Sequence, residues 1–113
     1  MLGNLLKLFS GKTQRSPEQK AAISKQTAKL ALYDLTLCPY SIEVRLVAKS
    51  LELDIEKRSI QDASWATDLL QGGGKVQAPC LRIEQDDGSI HWLYESGAII
   101  LYLRQQFPLE NSP

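Results

Sequence analysis

Leu37-Cys38-Pro39-Tyr40-Ser41 stands between an apolar run, Leu30 to Leu35, and a helix-patterned run, Ile42 to Leu51. A thiol at the first turn of a helix faces backbone N–H groups without intrahelical partners and the positive end of the macrodipole, and both favour thiolate over thiol. That lowers the pKa and makes the sulfur reactive. Pro39 suits the first helical position, where its missing N–H would have had no partner. A free cysteine is often a small buried hydrophobe instead, but the place of Cys38 before a proline at a strand-to-helix turn argues for reactivity. The fourth residue of this Cys-x-x-x window is Ser41, where a dithiol site would carry its second cysteine. A hydroxyl cannot form a disulfide, so an internal resolving step is chemically excluded, although it can hydrogen-bond the neighbouring thiolate.

Outward from this turn the pattern alternates between strand and helix. Leu30 to Leu35 is apolar except for Asp34, as expected of a central strand buried on both faces. Val44, Val47, Ala48 and Leu51 fall at i, i+3, i+4 and i+7, leaving Glu43, Arg45 and Lys49 outside the apolar stripe. Asp54 to Ile60 reads as a second strand, parallel to the first because a crossover helix joins them. Ser64 is expected to cap a helix through Trp65, Leu69 and Leu70 that Gly72-Gly73-Gly74 terminates. Cys80 to Glu84 and Ser89 to Tyr94 form a hairpin around Asp86-Asp87-Gly88. Ser96 is placed to cap a last helix with Ile99, Ile100, Leu103 and Phe107 on one stripe, closed by Pro108. The order describes an α/β domain with a four-stranded mixed sheet flanked by helices.

The 113 residues suffice for a single core. Thirteen basic residues balance thirteen acidic ones, which offers no electrostatic footprint for nucleic acid. Two cysteines far apart do not suggest a disulfide-stapled secreted scaffold, and a lone reactive thiol suits a reducing, cytoplasmic compartment. One histidine, His91, supports neither a zinc site nor a catalytic triad, so no metal is expected. Leu2, Leu5, Leu6 and Phe9 recur at helical spacing beside Lys7 and Lys12, so residues 1–12 suggest a short amphipathic helix. Packing on its own domain or on a second copy is favoured over contact with a membrane surface. The Gly11-Lys12-Thr13 triplet lacks the upstream glycine and strand of a phosphate-binding loop. Residues 10 to 16 read as a linker, and Ser16-Pro17-Glu18-Gln19 then carries the signature of a capping box, opening a helix to about Ala28.

Leu32-Tyr33, Cys38-Pro39-Tyr40, Val44-Arg45, Gly72-Gly73-Gly74-Lys75, Ala78-Pro79-Cys80-Leu81 and Trp92-Leu93-Tyr94-Glu95-Ser96 follow in an order that resembles glutaredoxins. More closely, it resembles bacterial glutaredoxin-like proteins that match the N-terminal, glutathione-binding domain of glutathione transferases. The resemblance covers about residues 30 to 107 and implies a thioredoxin fold, here residues 29–108, with an N-terminal helical extension over 1–28 and a tail over 109–113. In glutaredoxins the residue matching Cys38 attacks a glutathione mixed disulfide, becomes glutathionylated and is freed by a second glutathione. With Ser41 in place of the second cysteine, the resemblance implies a monothiol, glutathione-dependent thiol-disulfide oxidoreductase, with glutathione as co-substrate and glutathionylated thiols as partners.

The resemblance also assigns a glutathione site. Ala78 precedes the family's cis-proline, Pro79, and would offer its backbone N–H and C=O to the cysteinyl part; an ordinary proline starting a strand is the alternative. Glu95-Ser96 matches the acid-serine pair that receives the γ-glutamyl group, and Ser96 alone would read as a helix cap. Lys75 and Gln77, just ahead of Ala78, would reach the glycyl carboxylate; here the chain departs from many glutaredoxins, whose lysine three residues before the cysteine is Leu35 in this sequence. Tyr40 would shield the thiolate, or else is a surface aromatic beside a turn. Cys80 reads as structural, pointing into the core while its neighbours face the site, with a disulfide to Cys38 as the alternative; Trp65 and Trp92 read as packing. Two other functions stay open: a carrier in which Cys38 and glutathione from two protomers ligate an iron–sulfur cluster, and a non-catalytic transferase-like interaction module. Monomer and homodimer are equally compatible with the sequence.

Overall fold

A computed structural model describes residues 15–109. The amphipathic segment 1–12, most of the linker and nearly all of the C-terminal tail lie outside the described residues. The elements are α1 (Pro17–Thr27), β1 (Leu30–Asp34), α2 (Pro39–Ser50), β2 (Glu56–Ser59), α3 (Ala63–Gly73), β3 (Cys80–Glu84), β4 (Ile90–Tyr94) and α4 (Ser96–Gln106). The strands form one sheet in the order β2-β1-β3-β4. β1 runs parallel to β2 and antiparallel to β3, and β3 runs antiparallel to β4. This is the expected thioredoxin-like arrangement with a mixed four-stranded sheet.

Every residue of β1 is buried, Asp34 included, as a largely apolar run suits a strand covered on both faces. Leu32 faces a core shared with Val44, Ala48 and Leu51 of the α2 region, Leu81 and Ile83 of β3, and Ile99 and Leu103 of α4. Tyr33 points the other way, into a smaller cluster with Leu69 and Cys80 that Trp65 and Trp92 border. The two tryptophans flank the Tyr33 ring at centroid distances of 6.3 and 5.5 Å, which bears out their reading as packing residues. Cys80 points into this cluster as expected, but its neighbour Leu81 does not face the site. Leu81 is fully buried against α2 and α4, because β3 is covered on both faces.

The caps explain where the helices begin. At α1, Gln19 N–H donates to Ser16 Oγ at 3.1 Å while Ser16 N–H donates to Gln19 Oε1 at 2.7 Å, the predicted capping box. At α3 the cap is Asp62 rather than Ser64: its carboxylate accepts the Ser64 N–H at 2.9 Å and the Ser64 hydroxyl at 2.7 Å. An ionised acceptor draws both donors and moves the helix start ahead of the serine. The glycine run does not simply end this helix. Gly72 and Gly73 are helical, and a Cβ on either would overlap the Trp92 ring or the Tyr94 hydroxyl; only Gly74, at φ +97°, forms the left-handed cap. β2 is shorter than the expected Asp54–Ile60, as befits an edge strand with exposed residues. The Arg15 guanidinium is buried and donates to the carbonyls of Leu51 and Phe107, fastening the chain ahead of α1 to the ends of α2 and α4. Among the described residues no helix is long and apolar enough to cross a membrane.

Candidate functional site

Strand direction assembles the site. Tyr33 pairs with Cys80, and Cys80 with Tyr94, so the C-terminal end of β1, the start of β3 and the C-terminal end of β4 share one end of the sheet. The segments that continue from those points are therefore brought together: Cys38–Ser41 after β1, Lys75–Pro79 ahead of β3, and Glu95–Ser96 after β4.

Cys38 is the N-cap of α2, in extended conformation, with Pro39 at the first helical position and its thiol partly exposed. The first amide that meets a carbonyl inside the helix is Ile42 N–H, which donates to Cys38 O at 2.9 Å. The amides of Tyr40 and Ser41 are thus left for the sulfur. Hydrogen bonding from Ser41 N–H, then from Tyr40 N–H and the Ser41 hydroxyl, lowers the Cys38 pKa against partial desolvation and the Asp34 carboxylate. The thiol therefore ionises more readily than an ordinary cysteine.

Ser41 is fully buried, and its Oγ accepts the Leu35 N–H at 3.2 Å. This hydroxyl therefore braces the turn that carries the sulfur. Tyr40 is 62% exposed.

The Ala78–Pro79 peptide is cis. Pairing of β3 with β1 begins at Cys80, so the ladder does not take up the N–H and C=O of Ala78. Gln77 is exposed, and Lys75 places its ammonium 4.6 Å from the centre of the Tyr94 ring while its carbonyl accepts the Tyr94 hydroxyl at 2.9 Å. Lys75 is thereby drawn to the β4 side of this end of the sheet.

Ser96 is not the cap of α4 but its first residue; the cap is Glu95, exposed and held at φ +80°. That left-handed conformation is costly for a residue with a side chain and clusters at ligand-binding positions. It turns the chain so that the Ser96 side chain leaves the capping position. Ile99 N–H is bonded to Glu95 O at 3.1 Å, which leaves the amides of Ser96, Gly97 and Ala98 without helical acceptors. Oriented amides at a helix start suit a carboxylate.

The remaining cysteine does not join the site. Cys80 is fully buried, burial pushes its thiol up to about 12, and both cysteines are free. His91 is exposed on β4. Among the described residues no group of three His, Cys, Asp or Glu side chains is gathered as a metal site. Two hollows lined by described residues lie elsewhere, one along α2 and the β2 edge, the other between α1, the hairpin and the end of α4. Neither includes Cys38, Pro79 or Ser96.

One residue near the thiol-bearing turn escapes a reading based on apolar periodicity. Arg45, which falls outside the apolar stripe of α2, turns inward to pair with Asp34 at 2.5 Å. The available signal was the lone acid in a fully buried strand, since a buried carboxylate needs a partner.

Residues 32–111 match the family model for the glutathione S-transferase N-terminal domain. Among solved structures, the chain is similar to a maleylacetoacetate isomerase from Anaeromyxobacter dehalogenans 2CP-1 with dicarboxyethyl glutathione and citrate bound in the active site. They share 31% identity at a TM-score of 0.56, covering 74% of this chain and 36% of that one. The same isomerase with bound glutathione gives 26% identity and a TM-score of 0.57, covering 74% and 39%. Glutathione transferase E6 from Drosophila melanogaster gives 30% and 0.54, covering 70% and 35%. The chain thus spans well under half the length of these proteins. Among curated proteins, no match is found.

Proposed function

Since the chain belongs to the family of glutathione S-transferase N-terminal domains, we propose that it binds glutathione across the thiol end of its sheet and works as a glutaredoxin-like, monothiol thiol-disulfide oxidoreductase. The observation that carries the reading is Cys38: a partly exposed thiol with a lowered pKa, at a helix start, on the same end of the sheet as Pro79 and Ser96. Relatives with bound glutathione or a glutathione conjugate support the choice of ligand. The unit that carries the chemistry is residues 29–108, with 1–28 and 109–113 as flanking segments.

In this reading the Ser96 hydroxyl and the free amides at the start of α4 hold the γ-glutamyl carboxylate, with Glu95 beside its amino group. The backbone of Ala78, presented by Pro79, aligns the cysteinyl residue, and Lys75 with Gln77 meets the glycyl carboxylate. The Cys38 thiolate attacks the glutathione sulfur of a mixed disulfide. The new Cys38–glutathione disulfide forms as the old bond breaks, and the substrate leaves as a thiolate that takes up a proton. A second glutathione, as thiolate, attacks the glutathione sulfur on Cys38 and leaves as oxidised glutathione, returning Cys38 to its thiolate. The cycle consumes one mixed disulfide and one glutathione thiol and yields the substrate thiol and oxidised glutathione, so the second glutathione is the reductant and the glutathionyl sulfur carried in on the substrate stays at the disulfide level throughout. Tyr40 and Pro39 border the sulfur, and Ser41, having no sulfur, keeps the cycle on the monothiol route.

Incubation with oxidised glutathione followed by mass spectrometry of the intact protein and its peptides tests the first half-reaction. One glutathionyl group on Cys38 is expected. In a coupled assay with a glutathione mixed disulfide, the wild type is expected to turn over and Cys38→Ser to be inactive. A wild type that neither gains the adduct nor turns over would refute the reading.

A further inference from the structure

Arg45 lies one helical turn after Ser41 and reaches back over the loop that leads into the thiol. Its Nη1 donates to Asp34 Oδ1 at 2.5 Å and its Nη2 to the Thr36 carbonyl at 2.7 Å. The two side chains are 22% and 9% exposed, so the pair is largely withdrawn from solvent, where screening is weak. Ser41 holds the same loop through Leu35 N–H, and Cys38 N–H closes it by donating to Leu35 O at 3.1 Å. Positions i and i+4 share one face of a helix. Ser41 and Arg45 therefore act together as a strap over residues 34 to 38.

A carboxylate behind a nucleophilic thiol is chemically adverse, because its charge opposes formation of the thiolate. Leu32, on the same face of β1, is apolar, and so are Ile99, Ile100 and Leu103 facing this core from α4. From β2 the partner of Asp34 is Ser59, whose hydroxyl accepts Gln61 N–H. Lys49, Glu52, Asp54 and Lys57 line the hollow beside α2 together with Arg45. Among the described residues, Arg45 is the cation seen to bond to Asp34.

The geometry points to Arg45 as a positioning residue for the thiol chemistry: clamped on Asp34 and Thr36, it fixes the loop ahead of Cys38 and neutralises the carboxylate behind it. This rests on Cys38 being the reactive thiol, and the test separates the two claims. The thiol pKa is read from thiolate ultraviolet absorbance in the wild type, Arg45→Met, Asp34→Asn and the double variant, with circular dichroism to verify folding. Arg45→Met exposes the sulfur to an uncompensated anion and is expected to raise the pKa, lowering the thiolate fraction at a fixed pH within the titration range. Asp34→Asn leaves the guanidinium unbalanced and is expected to lower the pKa. The double variant is expected to return close to the wild type. Structural damage alone would move both single variants the same way.

An Asp34→Asn pKa equal to or above that of the wild type overturns the assignment, even should Arg45→Met fail to fold. A glutathionylated wild type whose single variants titrate with it refutes the role of Arg45 alone. A wild type with an ordinary thiol titration and no adduct refutes the functional reading and this role with it.

Discussion

Replacing Ser41 by alanine tests whether the serine is a working part of the turn or merely the residue left where a second sulfur is lacking. The hydroxyl is fully buried and accepts the Leu35 N–H at 3.2 Å. Its removal strands that amide beside a partly buried residue, which costs about 1–2 kcal/mol. For a domain of this size that corresponds to a fall in Tm of about 4–8 °C. The same hydroxyl also lowers the Cys38 pKa, but its contribution is smaller than those of the Ser41 and Tyr40 amides, which alanine retains. The thiol pKa should therefore rise in the variant and still stay below the ordinary value. Because the Cys38 pKa is lowered by folding, ionisation of this thiol favours the folded state above the unfolded-chain pKa. That contribution fades as pH falls through the folded value. Urea unfolding at neutral and acidic pH, with thiolate absorbance on the same samples, reads both effects. A Ser41→Ala protein with wild-type stability and titration would refute the bracing role. A rise all the way to the ordinary value would show that the hydroxyl, not the helix-start amides, sets the reactivity.

Cys80 should behave oppositely. The native protein is expected to take one equivalent of a thiol reagent, on Cys38, and a second only after unfolding. Its thiol titrates near 9.0 unfolded and is pushed up to about 12 by burial, so the stabilising contribution is complete below pH 9.0 and lost as pH climbs toward 12. The fall in urea midpoint over that range should be shallower in Cys80→Ala, and an identical slope would count against the burial argument. Gly73→Ala places a methyl against the Tyr94 hydroxyl, whereas Gly97→Ala, also in a helix, meets open space. The first should lose about 1–3 kcal/mol relative to the second in urea unfolding, and equal midpoints would exclude the close approach of α3 to β4.

How far the sequence could be read depended on whether a residue's neighbours lie near it in the chain. The buried β1 run, the Asp86-Asp87-Gly88 hairpin and the Ser16–Gln19 capping box are local patterns, and each stands where it was expected. Cys38 at a helix start is local too. Arg45 was hidden because apolar periodicity sorts side chains by hydrophobicity and cannot see that an arginine outside the stripe is claimed by an acid in the strand beneath it. The same blindness separated Gly72 and Gly73 from their cause, since Trp92 and Tyr94 lie two strands later. The caps failed differently. Asp62 and Ser64 are both competent, two residues apart, and charge decided between them. Glu95 took the cap of α4 from Ser96 through a positive φ that its own residue type disfavours. The cis geometry at Ala78–Pro79 followed only from family resemblance, because X-Pro spacing is compatible with either isomer.

The size of the proposed ligand can be set against the sheet itself. Cys38 follows β1 and Ser96 follows β4, with β3 between them, so the thiol and the free amides of α4 stand two strand spacings apart. At about 4.8 Å per spacing this is roughly 10 Å. A γ-glutamyl-cysteinyl arm, lengthened by its side-chain linkage to about three extended residues, covers roughly the same distance from sulfur to α-carboxylate. Pro79, just ahead of the strand in between, lies where the peptide unit of that arm would cross. A ligand shorter by one residue could touch the thiol or the amides but would not reach both. In the proposed reading, selectivity for glutathione over free cysteine would follow from strand order, whereas the reactivity of the sulfur would be set within the single turn that carries Cys38.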